Sequence, residues 1–171
     1  MPVQPAAPVT TLQSTTVQIS WSAPSSMGSP ILGYRIYILT SDGVTFGQDF
    51  TFCDGSQPSI ITALSCQVPI ATLTGSVYNL SFGSSVSATV VAYNAYGNSL
   101  NSTLGAGAVL ITYPSAPTAL AENIATRGAT QIGITWTQGA SNGGTPVIDY
   151  TVQITTGTNP YTTLASDVTI T

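Results

Sequence analysis

Charge is what this sequence has least of. Only 5 % of its 171 residues are Asp, Glu, Lys or Arg, where roughly a quarter is usual for a soluble domain. There is no lysine and no histidine, and the two arginines, Arg35 and Arg127, stand far apart among six acids that leave a net charge of −4. A phosphate backbone or an anionic bilayer needs a clustered basic footprint, so nucleic-acid partners and membrane-surface binding have no support. Without histidine the chain also lacks the commonest general base and the commonest transition-metal ligand. Long apolar runs are missing too. The best, Val90-Val91-Ala92 and Ala108-Val109-Leu110-Ile111, fall far short of the ~20 residues of a spanning helix, so no membrane insertion is expected. The segment Met1-Pro2-Val3-Gln4-Pro5 has neither a basic nor an apolar region of a secretion signal, which would therefore have been removed or lie upstream.

What the sequence does contain is a globular complement of 43 % apolar residues, with 27 Thr and 20 Ser in place of the missing charges. Hydroxyls must keep the exposed surface wet. Two cysteines, Cys53 and Cys66, flank a turn-rich segment that includes Cys53-Asp54-Gly55-Ser56-Gln57-Pro58. Their spacing does not suit a CxxC redox or zinc pair, and no histidine is available to complete a metal site. A disulfide, and with it an oxidising compartment, is the favoured reading; two unrelated thiols in a reducing compartment is the alternative.

Alternation of β-branched and polar residues, punctuated by Gly and Pro, predicts an all-β chain without helices. Val17, Ile19 and Trp21 share one face of a strand, while Gln18 and Ser20 share the other. Tyr34, Ile36 and Ile38 repeat the pattern before a tight turn at Ser41-Asp42-Gly43. Val86, Ala88, Val90 and Ala92 form a third inward row, and Gly107 to Thr112 supplies a closing run. The pattern then starts again. Pro5-Ala6-Ala7-Pro8 recurs as Pro114-Ser115-Ala116-Pro117, Gln18-Ile19-Ser20-Trp21 as Gly133-Ile134-Thr135-Trp136, and Gly28-Ser29-Pro30-Ile31-Leu32-Gly33-Tyr34 as Gly144-Thr145-Pro146-Val147-Ile148-Asp149-Tyr150. A repeat of about 110 residues follows. It predicts one domain over residues 1–113, with a cysteine-containing insertion, and the first half of a second over 114–171.

These residues resemble the fibronectin type III domain. The run from Ile19-Ser20-Trp21 to Tyr34-Arg35-Ile36 is similar to its B and C strands, and Leu80, Gly83, Val86, Ala88, Val90, Ala92, Asn94, Gly97 and Ser99 to its E–F corner, F strand and F–G loop. The resemblance implies tandem immunoglobulin-like β-sandwiches, the second incomplete, with Trp21, Tyr34, Trp136 and Tyr150 in the cores. It also implies a tyrosine at the corner before the F strand, where this chain has Val86, so that the usual corner hydrogen bond is replaced or lost. The cysteine segment, about Phe46 to Leu73, lengthens the module and resembles a variant from large secreted or surface proteins of protists.

No constellation of reactive groups emerges. Gly139-Ala140-Ser141-Asn142-Gly143 matches the G-x-S-x-G of a nucleophile elbow, but no base and no following helix accompany it, so it reads as the turn between B and C strands. Asp42, Asp49 and Asp54 lack the alternate spacing of a calcium loop and read as turn residues. No catalytic residues, metal ligands or cofactor are expected. Asn79-Leu80-Ser81 and Asn101-Ser102-Thr103 are acceptor motifs for N-linked glycan, Asn101 in the more exposed setting.

These features point to a non-enzymatic, extracellular or cell-surface structural module of a tandem-repeat protein that forms a fibre, filament or coat. Its expected partners are other copies of itself, adjacent repeats and glycans. Glycans, or burial against other copies, would then supply the solubility that charge does not. An adhesin or receptor ectodomain binding a ligand through its inter-strand loops is the alternative, and an accessory module of a secreted enzyme a third. Residues 114–171 hold only the first strands of a sandwich. The expectation is that the array continues or that a neighbouring copy donates strands to cover Trp136, Tyr150 and Val152.

Overall fold

In a computed structural model, which describes residues 1–169, the chain separates into two compact units, Met1–Thr112 and Tyr113 onward. The first is a two-sheet sandwich. One sheet holds β1 (Val9–Leu12), β2 (Thr16–Ser20) and β5 (Ser65–Pro69) in that order. The other has the order β4-β3-β6-β7, from β4 (Phe46–Gly47), β3 (Ile31–Leu39), β6 (Ala88–Asn94) and β7 (Gly97–Asn98). All named pairings are antiparallel. β3 and β6 place Tyr34 opposite Ala92, Ile36 opposite Val90 and Ile38 opposite Ala88, so large and small inward residues meet across the ladder. On the facing sheet, Val17 and Ile19 of β2 lie opposite Val68 and Cys66 of β5. All ten of these residues belong to one buried cluster with Trp21 and Leu110. The period of two read from the sequence is the period the core uses.

Two short helices interrupt the strands, where the sequence reading expected none: α1 (Pro58–Ala63) and α2 (Ile70–Thr74). Each is little more than one turn, too short to carry an apolar periodicity. Proline in the first turn favours the start of α1, and Leu64 in a left-handed conformation ends it. The Trp21 amide then donates to the Leu64 carbonyl, fixing the exit into β5. The closing run is also less regular than expected. The chain from Gly105 to Leu110 meets β6 and the segment before it through isolated bridges, Gly105 with Ala88 at the start of β6 and Val109 with Ser85.

The second unit contains β8 (Thr118–Asn123), β9 (Gly133–Thr137), β10 (Tyr150–Ile154) and β11 (Thr162–Val168), with a 3-10 turn at Ile124–Thr126. β8 pairs with β9 and β10 with β11, both antiparallel. These pairs repeat β1 with β2 and β3 with β4. In the first unit β2 pairs also with β5, and β3 with β6. Among the described residues, β9 and β10 each have one strand neighbour.

Candidate functional surfaces

Three surfaces follow from this architecture. The first is the braced flank where β5 and β4 lie. The structure joins Cys53 to Cys66 with Cα atoms 5.1 Å apart, and both residues are buried. Cys66 sits on β5 of one sheet, while the segment carrying Cys53 runs beside β3 of the other, where the Tyr34 amide donates to the Gly55 carbonyl at 2.9 Å. A side chain at position 55 would collide with the Tyr34 carbonyl and the Ile36 side chain, so glycine is required by close approach. The insertion therefore ties sheet to sheet and occupies part of the β3 edge.

The three aspartates of this region act as turn caps. Asp42 accepts from the Val44 and Thr45 amides and from both neighbouring threonine hydroxyls. Asp49, which is buried, accepts from the Thr51 and Phe52 amides. Asp54 accepts from Ser56 and Gln57. Hydrogen bonds to the ionised form hold the carboxyls of Asp42 and Asp54 below the usual range, led in each case by a side-chain donor, Thr45 for Asp42 and Gln57 for Asp54. Among the described residues there is no group of three or more His, Cys, Asp or Glu side chains arranged to hold a metal ion.

The opposite flank is closed by Thr10. Its buried hydroxyl donates to the Val86 carbonyl at 2.8 Å and accepts from the Ala108 amide at 2.9 Å. The corner that lacks a tyrosine is thus linked to β1 and to the closing segment by a threonine. Gly105 lies so near the Pro8 carbonyl that no Cβ would fit. Farther along, the hydroxyls of Ser102 and Ser99 accept from the Val90 and Ala92 amides of β6, replacing ladder carbonyls where the chain leaves strand geometry. Thr10 carried no signal in a sequence so rich in hydroxyls, and Ser99 and Ser102, though part of the family resemblance and of the Asn101 acceptor motif respectively, gave no sign of these bonds.

The second surface is the loop end of the first unit. Asn94, buried at the end of β6, donates from Nδ2 to the Ser26 and Ser29 carbonyls at 3.1 Å, locking the loop after Trp21 to the turn before β7. Met27 and Tyr96 stand exposed on those two loops. Asn101 is exposed and its backbone carbonyl accepts from Gln4 Nε2. Asn79 is exposed at φ 52°, with Nδ2 3.4 Å from Ser41 Oγ. In the loop Gly139–Gly143 the Ser141 Oγ accepts from the Gly143 amide, and no helix follows it among the described residues.

The third surface is a trough of about 1000 Å³ in the second unit. Ile132, Ile134 and Trp136 line one wall, and Tyr150, Val152 and Ile154 the other. Trp136 and Tyr150 pack with ring centroids 5.2 Å apart and planes inclined by 61°, repeating Trp21 and Tyr34 at 5.2 Å and 58°. Their surroundings differ. Trp21 and Tyr34 are buried, whereas Trp136 and Tyr150 are partly exposed and Ile132 is 74 % exposed. An exposed ion pair, Arg127 to Glu122 at 3.4 Å, stands among the lining residues.

A sandwich with sheets ordered β1-β2-β5 and β4-β3-β6-β7, a tryptophan at its centre and a tyrosine on the facing strand is an immunoglobulin-like module. The model of the fibronectin type III domain matches residues 3–104, more than half of the chain, and the chain belongs to that family. Such domains are found in extracellular and adhesion-type proteins and are typically non-catalytic binding or structural modules. Curated proteins include no match to the sequence. Similar solved structures include domains A168–A170 of titin (18 % identity, 64 % of this chain and 32 % of that one, TM-score 0.46). The chicken CNTN1 FN1–FN3 domains align at 16 % identity over 97 % of this chain and 52 % of theirs, TM-score 0.48. The sixth fibronectin type III domain of human fibronectin type III domain containing protein 3 aligns at 24 % identity over 64 % and 86 %, TM-score 0.46. This chain thus spans about a third of the titin chain and half of the CNTN1 chain. No helix among the described residues is long and apolar enough to cross a membrane.

Proposed function

We propose that this chain is a structural, non-catalytic segment of an extracellular tandem-repeat protein that assembles into a fibre, filament or surface coat. The observation that carries this reading is the internal repeat, a closed, braced sandwich followed by the same strand pattern again, in a chain with almost no charge to keep copies apart. Its partners are adjacent repeats and other copies of itself. The Cys53–Cys66 link suits an oxidising compartment. Glycan on Asn101, and on Asn79 at the strained left-handed position, would add a solvating layer.

A second reading has one specific observation behind it. Met27 and Tyr96 are exposed on loops that Asn94 holds together, an arrangement suited to a ligand-binding end of an adhesin or receptor ectodomain. Electron microscopy of the native material separates the two. Ordered filaments or a periodic coat support assembly, while dispersed particles that lose ligand binding on Tyr96→Ala would replace it with the loop-binding role. Intact mass before and after enzymatic deglycosylation tests the sugars, and an unchanged mass removes them from the account.

A further inference from the structure

We propose that the groove beside β3 in the first unit binds a carboxylated sugar, a hexuronic or sialic acid residue, with Arg35 taking the carboxylate. The inference goes beyond the tandem-repeat reading and holds for a filament or a receptor alike. It begins with a scarcity. Arg35 is the one basic side chain between Met1 and Thr112, set against Asp42, Asp49 and Asp54. It is exposed, and among the described residues it has no ion-pair partner, whereas Arg127 of the second unit is paired with Glu122. Its position is nevertheless defined. Arg35 and Tyr93 project from the same outer face of the adjacent strands β3 and β6, and the guanidinium stands 5.7 Å from the Tyr93 ring centroid. Tyr93 in turn lies across Gly33, where a Cβ would collide with the phenol oxygen and with the Gly55 carbonyl. A guanidinium held by its face against a ring keeps the N–H donors of its planar fork available to a ligand.

The groove around Arg35 has the size and the chemistry of a sugar site. Its volume is about 490 Å³, inside the range of about 300 to 1,000 Å³ usual for small-ligand sites. Arg35, Gln48, Phe50, Asp54, Ser56 and Tyr93 contribute to its lining. Phe50, 70 % exposed, presents an aromatic surface to the apolar C–H side of a pyranose ring. Gln48 and Ser56 bring an amide and a hydroxyl suited to ring hydroxyls. The Asp54 carboxylate accepts from Ser56 and Gln57, and its remaining lone pairs suit a sugar O–H donor. The ligand's carboxylate is matched by the arginine fork, which can donate two parallel N–H···O bonds to it. Other occupants fit less well. A peptide adding itself as a strand needs free backbone groups on β3, and the Tyr34 amide already donates to the Gly55 carbonyl. A sulfated chain or a nucleic acid needs a row of cations, and the first unit has one.

The test titrates the full chain with glucuronic acid, N-acetylneuraminic acid, glucose and acetate, and follows backbone amide shifts. The expected result is saturable movement of the amides around Arg35, Gln48, Phe50 and Ser56 with one or both acidic sugars, at an affinity at least about tenfold above that for glucose or acetate. The better of the two acids then identifies the kind of sugar. Arg35→Gln should lose that margin, while Arg127→Gln, which removes the paired arginine of the second unit, should keep it. Phe50→Ala, at an exposed position, should weaken binding several-fold with the fold intact, and so tests the site independently of Arg35. Glucose binding as tightly as the acids overturns the role given to the carboxylate, and acetate binding as tightly means an adventitious ion only. No saturable shift in the groove with any probe, or an equal loss in Arg35→Gln and Arg127→Gln, also overturns the inference.

Discussion

The two units begin with the same instructions and reach different states. Trp21 with Tyr34 and Trp136 with Tyr150 have the same centroid distance and nearly the same inclination, yet one pair is sealed and the other is open on one side. The geometry of the pair is therefore a local property of two strand segments and the loop between them. Burial is a non-local property that depends on β5, β6 and the closing segment, all more distant in sequence. Stability follows burial, because the hydrophobic contribution scales with area removed from water, about 25 cal/mol per Å². The conserved geometry of an aromatic pair is thus a poor measure of how much holds it in place.

The sharpest way to break this comparison is to delete each tryptophan in turn. Trp21→Ala empties the centre of a closed core and is expected to lower the stability of the first unit by about 3 to 5 kcal/mol. Trp136→Ala removes a side chain already partly in water and should cost the second unit only about 1 kcal/mol. Urea unfolding, followed through the single tryptophan that remains in each variant, reads the unaltered unit directly, and far-ultraviolet dichroism reads the rest. Similar losses in both units would mean that the open face is already covered in solution.

A second difference is the disulfide, which only the first unit has. Cys53→Ser with Cys66→Ser should lower stability by about 2 to 4 kcal/mol through a more expanded unfolded state. The loss should be confined to the first unit and should also loosen Gly55 from the β3 edge, visible as faster exchange of the Tyr34 amide. Unchanged exchange at Tyr34 would show that the segment holds its place without the covalent link.

Thr10 tests the other flank. Thr10→Val keeps the shape, removes the hydroxyl and leaves the Ala108 amide and Val86 carbonyl without their buried partner. The expected cost is about 1 to 3 kcal/mol, read as a lower urea midpoint with an unchanged slope. A neutral result would assign the closure to packing alone.

Much of this was legible in the sequence. The inward rows on β2, β3 and β6, the hairpin at Asp42-Gly43, the repeat and the family resemblance all rest on short-range signals of period two or on turn residues. The helices were not, because α1 and α2 are a turn or so each and carry β-branched residues that read equally well as strand. Nor was β5: Cys66 and Val68 are its inward pair, but the proline, glycine and aspartate before them made the whole segment look like an extended turn. The bonding role of the hydroxyls that close the sandwich was invisible for a different reason. Thr10, Ser99 and Ser102 are three among many, and only three-dimensional contact distinguishes a ladder-replacing hydroxyl from one that faces water.

The smallest expected effect concerns Tyr78, which is buried with an unpartnered hydroxyl in the first unit. Burial, reinforced by the nearby Asp49 carboxylate, pushes its phenol up to about 12. A phenol whose pKa is raised by folding binds its proton more tightly in the folded chain than in the unfolded one, where ionisation begins near pH 10. Its contribution is therefore intact below pH 10 and is lost as pH rises towards 12. Asp42 and Asp54 act in the opposite limb: their lowered values give a contribution present at neutral pH and lost on acidification below about pH 4. Tyr78→Phe removes the orphaned hydroxyl while keeping the ring against Gly47. It should leave stability at pH 7 unchanged or raise it by up to about 1 kcal/mol. It should also flatten the alkaline decline between pH 10 and 12 without touching the acid limb. An alkaline decline as steep in Tyr78→Phe as in the parent would place its origin in another tyrosine, and a loss of stability at neutral pH would show that the hydroxyl has a partner after all.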